Sequence, residues 1–141
     1  MATTATLTLT SADIAGDPVN VSKTATLTKA GGTTDMDQST GLNRVHLRET
    51  TNVVLLGAVA GGNDLGAKVY IINKATDPTY YIDVDIHDTN IGRLYAGDWL
   101  FIPWGINDVA SEIVIEAEPS GATCPYEFAL FQEPQTLVAH S

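Results

Sequence analysis

Charge is scarce in this sequence, and positive charge is the scarcest kind. Only 17% of the 141 residues are charged, and 7 lysines and arginines stand against 17 aspartates and glutamates. A soluble domain usually has about 25% charged residues, so we expect another protein to cover part of this surface. The net charge of −10 repels phosphate backbones and anionic lipids, which argues against nucleic acid and membranes as partners.

Cysteine and long hydrophobic runs are nearly absent as well. Cys124 is the only cysteine, so no internal disulfide can form, and we expect a small buried side chain there, ahead of Pro125. The N-terminus, MATTATLTLTSADIAGD, has neither the basic region nor the apolar core of a signal peptide. The most apolar run, residues 53–60, is far shorter than the ~20 residues that span a bilayer. We therefore expect synthesis in the cytoplasm without a signal peptide.

Most of the chain alternates apolar and polar residues with a period of two, which is typical of β-strands with one buried face. Residues 5–10, ATLTLT, and residues 24–28, TATLT, show this most strictly and could be sister strands. No window of a dozen residues has the apolar spacing of an amphipathic helix. Strand-like segments recur roughly every 8–15 residues between turns. This spacing predicts an all-β fold, a single antiparallel β-sandwich, jelly-roll-like, with about eight strands.

No linker divides the chain, so we expect one domain with short extensions. Residues 1–20 are expected to form an N-terminal arm or a first strand, residues 21–135 the β-sandwich, and residues 136–141 a flexible tail. The first segment is rich in alanine and threonine. That composition suggests an arm that docks on a neighbouring protein.

The segment YYIDVDIHDTN, residues 80–90, concentrates acidic side chains. On a strand, alternate side chains share a face. A half-buried strand therefore accounts for the pattern, and no functional role is needed to explain it. The polar residues after the strand suit a turn. The two predicted faces are Tyr80, Ile82, Val84 and Ile86 on one side, and Tyr81, Asp83, Asp85 and His87 on the other.

Asp83, Asp85 and His87 are the only metal ligands that this pattern suggests. The outer two would lie about 13 Å apart along a strand, too far to hold one ion. The glycine that turns a calcium-binding loop is also missing, since Asp88 stands in its place. We assign no metal, and we interpret Asp83 and Asp85 as part of a solvated or intersubunit face.

Arg44, His46 and Arg48 form a basic stripe on an acidic protein. The stripe could pair across the sheet with Asp83 and Asp85, because opposite charges on facing strands are stabilising. It could also reach an acidic neighbouring subunit, or simply point into water. We treat its three residues as interface candidates.

A further candidate surface is aromatic and contains Trp99, Phe101 and Trp104. One interpretation is a platform for a sugar. Because the alternate positions of this segment are apolar too, a central strand buried on both faces is favoured instead. Pro103 is expected to end that strand, since proline cannot donate to the sheet ladder. Trp99 and Trp104 are interface candidates under either interpretation.

Known catalytic patterns do not occur in the chain. It has no G-x-S-x-G, no G-x-x-x-x-G-K-[ST] and no H-E-x-x-H motif, and its three histidines are scattered. We predict no catalytic residue, no cofactor and no enzymatic activity. An enzyme built on Asp83, Asp85 and His87 is a minor alternative, which an intact function in Asp85→Asn would exclude.

The C-terminal third carries a resemblance to known proteins. The segment LYAGDWLFIPW, residues 94–104, is followed by IVIEA at 113–117 and by YEFALF at 126–131. This order resembles small structural proteins of tailed-bacteriophage virions. Those are compact β-sandwiches that serve as capsid cement or decoration proteins and as tail or fibre modules.

The resemblance implies a virion protein that binds and stabilises a phage capsid as a cement or decoration protein. Its partners would be the major capsid protein or other virion proteins, and the arm would dock on the capsid lattice or on a neighbour. A homotrimer would match the threefold points of such a lattice. The implied location is the virion, after synthesis in the host cytoplasm. The alternatives are a phage tail or fibre module, or a carbohydrate-binding β-sandwich that uses Trp99 and Trp104.

Overall fold

The structure is a computed structural model that describes residues 2–11, 19–28, 34–36, 38–47, 53–56, 65–106, 112–119 and 121–132. These residues contain strands and no helix, which confirms the all-β prediction. They form more strands than the predicted eight or so. The eleven strands are β1 (Thr4–Ser11), β2 (Val19–Thr26), β3 (Gln38–Ser39), β4 (Asn43–Leu47), β5 (Val53–Leu56), β6 (Leu65–Asn73), β7 (Tyr81–Ile86), β8 (Thr89–Tyr95), β9 (Trp99–Ile106), β10 (Ile113–Glu118) and β11 (Cys124–Gln132).

Two antiparallel sheets build the domain. A four-stranded sheet has the order β5-β10-β7-β8, and a five-stranded sheet has the order β3-β11-β6-β9, with β4 also paired to β11. Their inward side chains form one shared apolar core, to which β6, β7, β10 and β11 contribute most of the buried residues. This arrangement confirms the antiparallel β-sandwich. Cys124 lies fully buried in that core, as predicted.

The larger number of strands comes partly from the position of one turn. The sequence pattern predicts a turn through Asp88, Thr89 and Asn90, but the turn is His87 and Asp88, and β8 begins directly afterwards. His87 has φ 54°, a left-handed conformation that suits a tight turn and is uncommon for residues other than glycine. A two-residue turn therefore leaves room for an additional strand.

Strand β9 corrects a prediction, because it is not a central strand buried on both faces. Within the described residues it pairs with β6 alone, so it lies at an edge of the five-stranded sheet. Its inward residues pack on the core, whereas Trp99 is 51% exposed. Pro103 does not end the strand either, since it lies opposite Lys68 within the ladder. Edge strands tolerate proline because one side of their backbone needs no ladder partner.

Strands β1 and β2 pair with each other as a separate two-stranded sheet, which we call the hairpin. The two sister segments of the sequence are partners only in part, because residues 24–26 end β2 and residues 7–11 of β1 pair with residues 19–23. In their register one hairpin face is apolar except for Ser11 and Lys23, and the other is formed by hydroxyl and amide side chains. The largely apolar face comprises Ala5, Leu7, Leu9, Ser11, Val19, Val21, Lys23 and Ala25, and the polar face comprises Thr4, Thr6, Thr8, Thr10, Asn20, Ser22, Thr24 and Thr26.

Candidate functional site

An open cleft lies between the hairpin and the outer face of the five-stranded sheet. Its lining residues are mostly apolar, and its volume is about 440 Å³. An adjoining hollow of about 350 Å³ shares Ala5, Leu7 and Phe101 with the cleft and is also lined by Ala25 of β2 and Lys68 of β6. A concave apolar surface with few polar groups is the usual form of a binding site. The cleft is lined by Ala5, Thr6, Leu7, Tyr70, Trp99 and Phe101.

Strand register brings the aromatic residues of the cleft together. Tyr70 on β6 lies opposite Phe101 on β9, and Trp99 lies two pairs further along on the same face. The Tyr70 and Trp99 ring centroids are 6.5 Å apart, and those of Phe101 and Phe131 are 6.3 Å apart. All four rings point away from the core, because their neighbours along each strand point into it. The outer face thus presents a continuous group of aromatic rings.

The two tryptophans that the sequence suggested as one surface lie on opposite faces of β9. Trp99 borders the cleft, whereas Trp104 is only 5% exposed and belongs to the core. Five positions separate them, and an odd separation puts two residues on different faces of a strand. Trp104 therefore has a packing role, and Trp99 alone is available to a ligand at the cleft.

This difference predicts two populations of tryptophan fluorescence. We expect acrylamide to quench a red-shifted component from Trp99 and to leave a blue component from Trp104 largely unquenched. Trp99→Phe should remove the quenchable part selectively. Equal quenching of both components in the folded protein would contradict the assignment.

The acidic strand β7 is confirmed as half-buried, and its acidic side chains have local partners. Ile82 and Val84 are fully buried on the inner face. On the outer face an Asp83 carboxylate oxygen lies 2.9 Å from Nε of Arg93, and an Asp85 oxygen accepts a hydrogen bond of 2.8 Å from the amide of Asn90. These contacts place both aspartates on a polar outer face of the four-stranded sheet.

His87 does not continue the face of the two aspartates. It stands in the turn, where its Nε2 lies 3.2 Å from an Asp88 carboxylate oxygen. Among the described residues, no three histidine, cysteine, aspartate or glutamate side chains come together as a possible metal site. Asp83, Asp85 and His87 therefore form no ligand set here.

The basic stripe lies on the other sheet, which corrects one of its predicted partnerships. Arg44 is on β4, beside β11, and its Nε is 2.7 Å from a Glu127 carboxylate oxygen. The proposed pairing with Asp83 and Asp85 is wrong, because β7 belongs to the four-stranded sheet. Strand order, which the sequence pattern does not contain, decides this partner.

The rest of the stripe is only partly described. His46 borders a shallow hollow together with Arg44, Lys74 and Glu127, and it is exposed. Arg48 lies outside the described residues. A role of the stripe at a neighbouring subunit therefore stays a prediction.

Glu116 on β10 faces the acidic side chains of β7 and gives a prediction about pH. Burial, and then the carboxylates of Glu118, Asp83 and Asp85, raise the pKa of Glu116 above its ordinary value of 4.5. A raised carboxyl pKa means that the folded state favours the protonated form. The stability that this form contributes is present below the ordinary pKa and is lost as the pH rises through the folded-state pKa.

We therefore expect Glu116→Gln to raise the melting temperature at pH 7 and to have little effect near pH 3. Thermal melts followed by circular dichroism at both pH values measure the difference. Asp83→Asn is the contrasting variant, since it loses the contact with Arg93 and should lower the melting temperature at pH 7. The same sign for both variants at pH 7 would contradict this interpretation.

The described residues thus define an antiparallel β-sandwich with an open, aromatic-lined cleft beside a β-hairpin. No protein-family model matches the chain, and neither a curated protein nor a solved structure matches it significantly. No helix in the described part of the chain is long and apolar enough to cross a membrane.

Sequence reasoning missed two of the cleft's main components. Tyr70 lies in the strand-like segment KVYIIN, where alternation from the buried Val69 and Ile71 could have assigned it to the outer face. Leu7 lies in the predicted arm, but nothing in the sequence pattern indicates that the arm folds beside β9. Periodicity could have predicted the outward position of Tyr70, whereas the position of Leu7 required the tertiary structure.

Proposed function

We propose that the protein is a virion structural protein that binds and stabilises a phage capsid as a cement or decoration protein, and that the aromatic cleft contacts the major capsid protein. The observation that carries the proposal is the half-exposed Trp99 beside Tyr70 and Phe101. Tryptophan and tyrosine are enriched among the residues that dominate protein interfaces. An aromatic face left in water is costly, and a protein partner that covers it recovers that free energy.

Stabilisation in this proposal is mechanical and needs no chemistry. A protein that binds only the closed shell adds its binding free energy to the assembled state and none to free capsid subunits. The protein would act as a homotrimer at threefold positions of the lattice. Low charge, noted above, fits a surface that is mostly covered in the particle.

The test uses empty shells assembled from the major capsid protein encoded in the same genome. Purified protein is mixed with shells and sedimented, and the bound fraction is measured over a concentration series. We expect saturable binding that Trp99→Ala weakens about 30-fold, which corresponds to roughly 2 kcal/mol for an interface hot spot.

Tyr95→Ala is the matched control, because Tyr95 is a similarly exposed aromatic residue on the four-stranded sheet. It should bind shells like the wild type. If both variants bound shells equally weakly, the role of the cleft would be contradicted. If the wild type did not bind shells, the capsid function would be contradicted. Binding to purified tails or fibres but not to shells would favour the tail or fibre module.

A carbohydrate-binding module is the second candidate, and the exposure of Trp99 favours it. Its platform would consist of Trp99 and Tyr70, since Trp104 is buried and cannot take part. A titration with a panel of oligosaccharides should then shift the Trp99 emission saturably, and Trp99→Ala should abolish binding. No shift with any sugar of the panel would count against this candidate.

A further inference from the structure

The far part of the apolar hairpin face extends beyond the cleft and is open to solvent. Leu9 is 48% exposed and Val19 is 51% exposed, although the register places them on the same face as the cleft residues Ala5 and Leu7. Val21, directly opposite Leu9, is exposed as well. Three large aliphatic side chains therefore form one contiguous patch, which we call the distal patch, on an element only two strands wide.

A hairpin of this kind needs support that the described chain does not provide. Within the described residues, each of its strands pairs with the other and with no third strand. An isolated two-stranded hairpin is marginally stable in water, and it gains stability when further strands or another layer cover its apolar face. The polar face can remain in water, so only the apolar face requires a cover.

Charge indicates which partner can cover the distal patch. The chain has a net charge of −10, yet β1 and β2 contain no acidic residue, and Lys23 is their only ionisable side chain. Two copies of an acidic protein repel each other over most of their surfaces. They meet with little repulsion at an exposed element that has no negative charge, and the hairpin is such an element.

Shape points to the same partner. The patch is a strip of aliphatic side chains on a two-stranded ribbon, and a second copy offers a strip of the same width and chemistry. Identical patches can cover one another around a twofold axis, as in isologous dimers. Two sheets that pack face to face lie about 10 Å apart, a separation that these side chains fill.

We propose that two copies of this chain associate through their hairpins, with the distal patches of Leu9, Val19 and Val21 packed against each other. This contact is separate from the aromatic cleft. It does not depend on capsid binding, and it can also operate within larger assemblies of the chain.

The first test is the molar mass of the purified protein in solution, measured by light scattering over a concentration series. We expect the wild type to reach an even multiple of the 15.0 kDa of one chain and the double variant Leu9→Thr, Val21→Thr to halve that mass. The matched control is Thr8→Ala with Ser22→Ala, an opposed pair on the polar face, which should keep the wild-type mass. A wild-type mass of one chain or of three chains at every concentration would overturn the proposal.

A crosslinking test keeps the proposal falsifiable if the double variant fails to fold. Leu9→Cys and Thr8→Cys place a thiol on the apolar and the polar face, while the native Cys124 is fully buried. With a bis-maleimide whose span is about 10 Å, the distance between packed sheets, only Leu9→Cys should give covalent dimers. Equal crosslinking of both variants, or none in Leu9→Cys, would overturn the assignment.

Neither test contains capsid shells. The proposal of self-association can therefore be refuted while the proposal of capsid binding stands, and the reverse. Trp99→Ala is expected to keep the wild-type mass while its shell binding weakens. The double variant at Leu9 and Val21 is expected to lose self-association before it loses shell binding.

Discussion

Replacing Asn73 with leucine should lower the free energy of unfolding by about 3 kcal/mol. Asn73 is the one buried polar residue in the described core, and it is fully inaccessible to solvent. Its amide nitrogen donates to the carbonyl oxygens of Leu94, at 2.9 Å, and Tyr80, at 3.4 Å. Its side-chain oxygen accepts a hydrogen bond of 2.8 Å from the backbone N–H of Ala75.

These hydrogen bonds connect the two sheets at one end of the sandwich. Asn73 ends β6 in the five-stranded sheet, whereas Leu94 lies in β8 of the four-stranded sheet, and Tyr80 directly precedes β7. Leucine has a similar volume but leaves the Ala75 donor and the Leu94 acceptor without their partner. Each unsatisfied buried group costs about 1–3 kcal/mol, which is the source of the expected loss.

Urea denaturation of the variant and the wild type measures this loss. Asn90→Leu is the matched control, because Asn90 is exposed and bonds only the Asp85 side chain among the hydrogen bonds described here. We expect that substitution to change stability by no more than about 0.5 kcal/mol. Similar losses for both variants would show that Asn73 does not hold the sheets together.

Replacing Ile71 with alanine should destabilise the protein by about 4 kcal/mol, towards the upper end of the range for such substitutions. Ile71 lies on β6, is fully buried and belongs to the core cluster. Strand β6 is paired on both sides, to β11 and to β9. The backbone around the cavity therefore cannot collapse easily, and a cavity that stays open causes a larger loss of stability than one that collapses.

The neighbouring residue provides the control for this prediction. Ile72 is also an isoleucine on β6, but it points to the outer face and is only half-buried, between Trp99 and Glu127. Ile72→Ala should cost less than half as much as Ile71→Ala in the same denaturation experiment. If the order of the two were reversed, the assignment of the inner and outer faces of β6 would be wrong.

Local alternation in the sequence was enough to assign faces within strands. In YYIDVDI it put Ile82 and Val84 inside and Asp83 and Asp85 outside, and the structure confirms this. It also found β1 and the last three residues of β2, although it missed residues 19–23, with which most of β1 pairs. The reason is physical: consecutive side chains of a strand point to opposite faces whatever the strand packs against.

Alternation could not say what covers each face, so the expectation for β9 was wrong and one of the three alternatives for the basic stripe is excluded. Trp99 and Phe101 were expected inside because the alternate positions of their segment are apolar too, yet within the described residues β9 lies at an edge and its outer face borders the hairpin and an open cleft. The excluded alternative paired the stripe with Asp83 and Asp85, yet β4 lies beside β11 in the other sheet, where Arg44 contacts Glu127.

The sequence by itself thus determined that the protein is all-β, which residues share a face, and that its surface carries little positive charge. The tertiary structure alone decided the order of the strands, the isolation of the hairpin, the opening beside Trp99 and the burial of Asn73. Side-chain direction follows from the local backbone geometry of each strand. Strand order instead depends on contacts between segments that are distant in the chain, and a periodic pattern contains no information about those contacts.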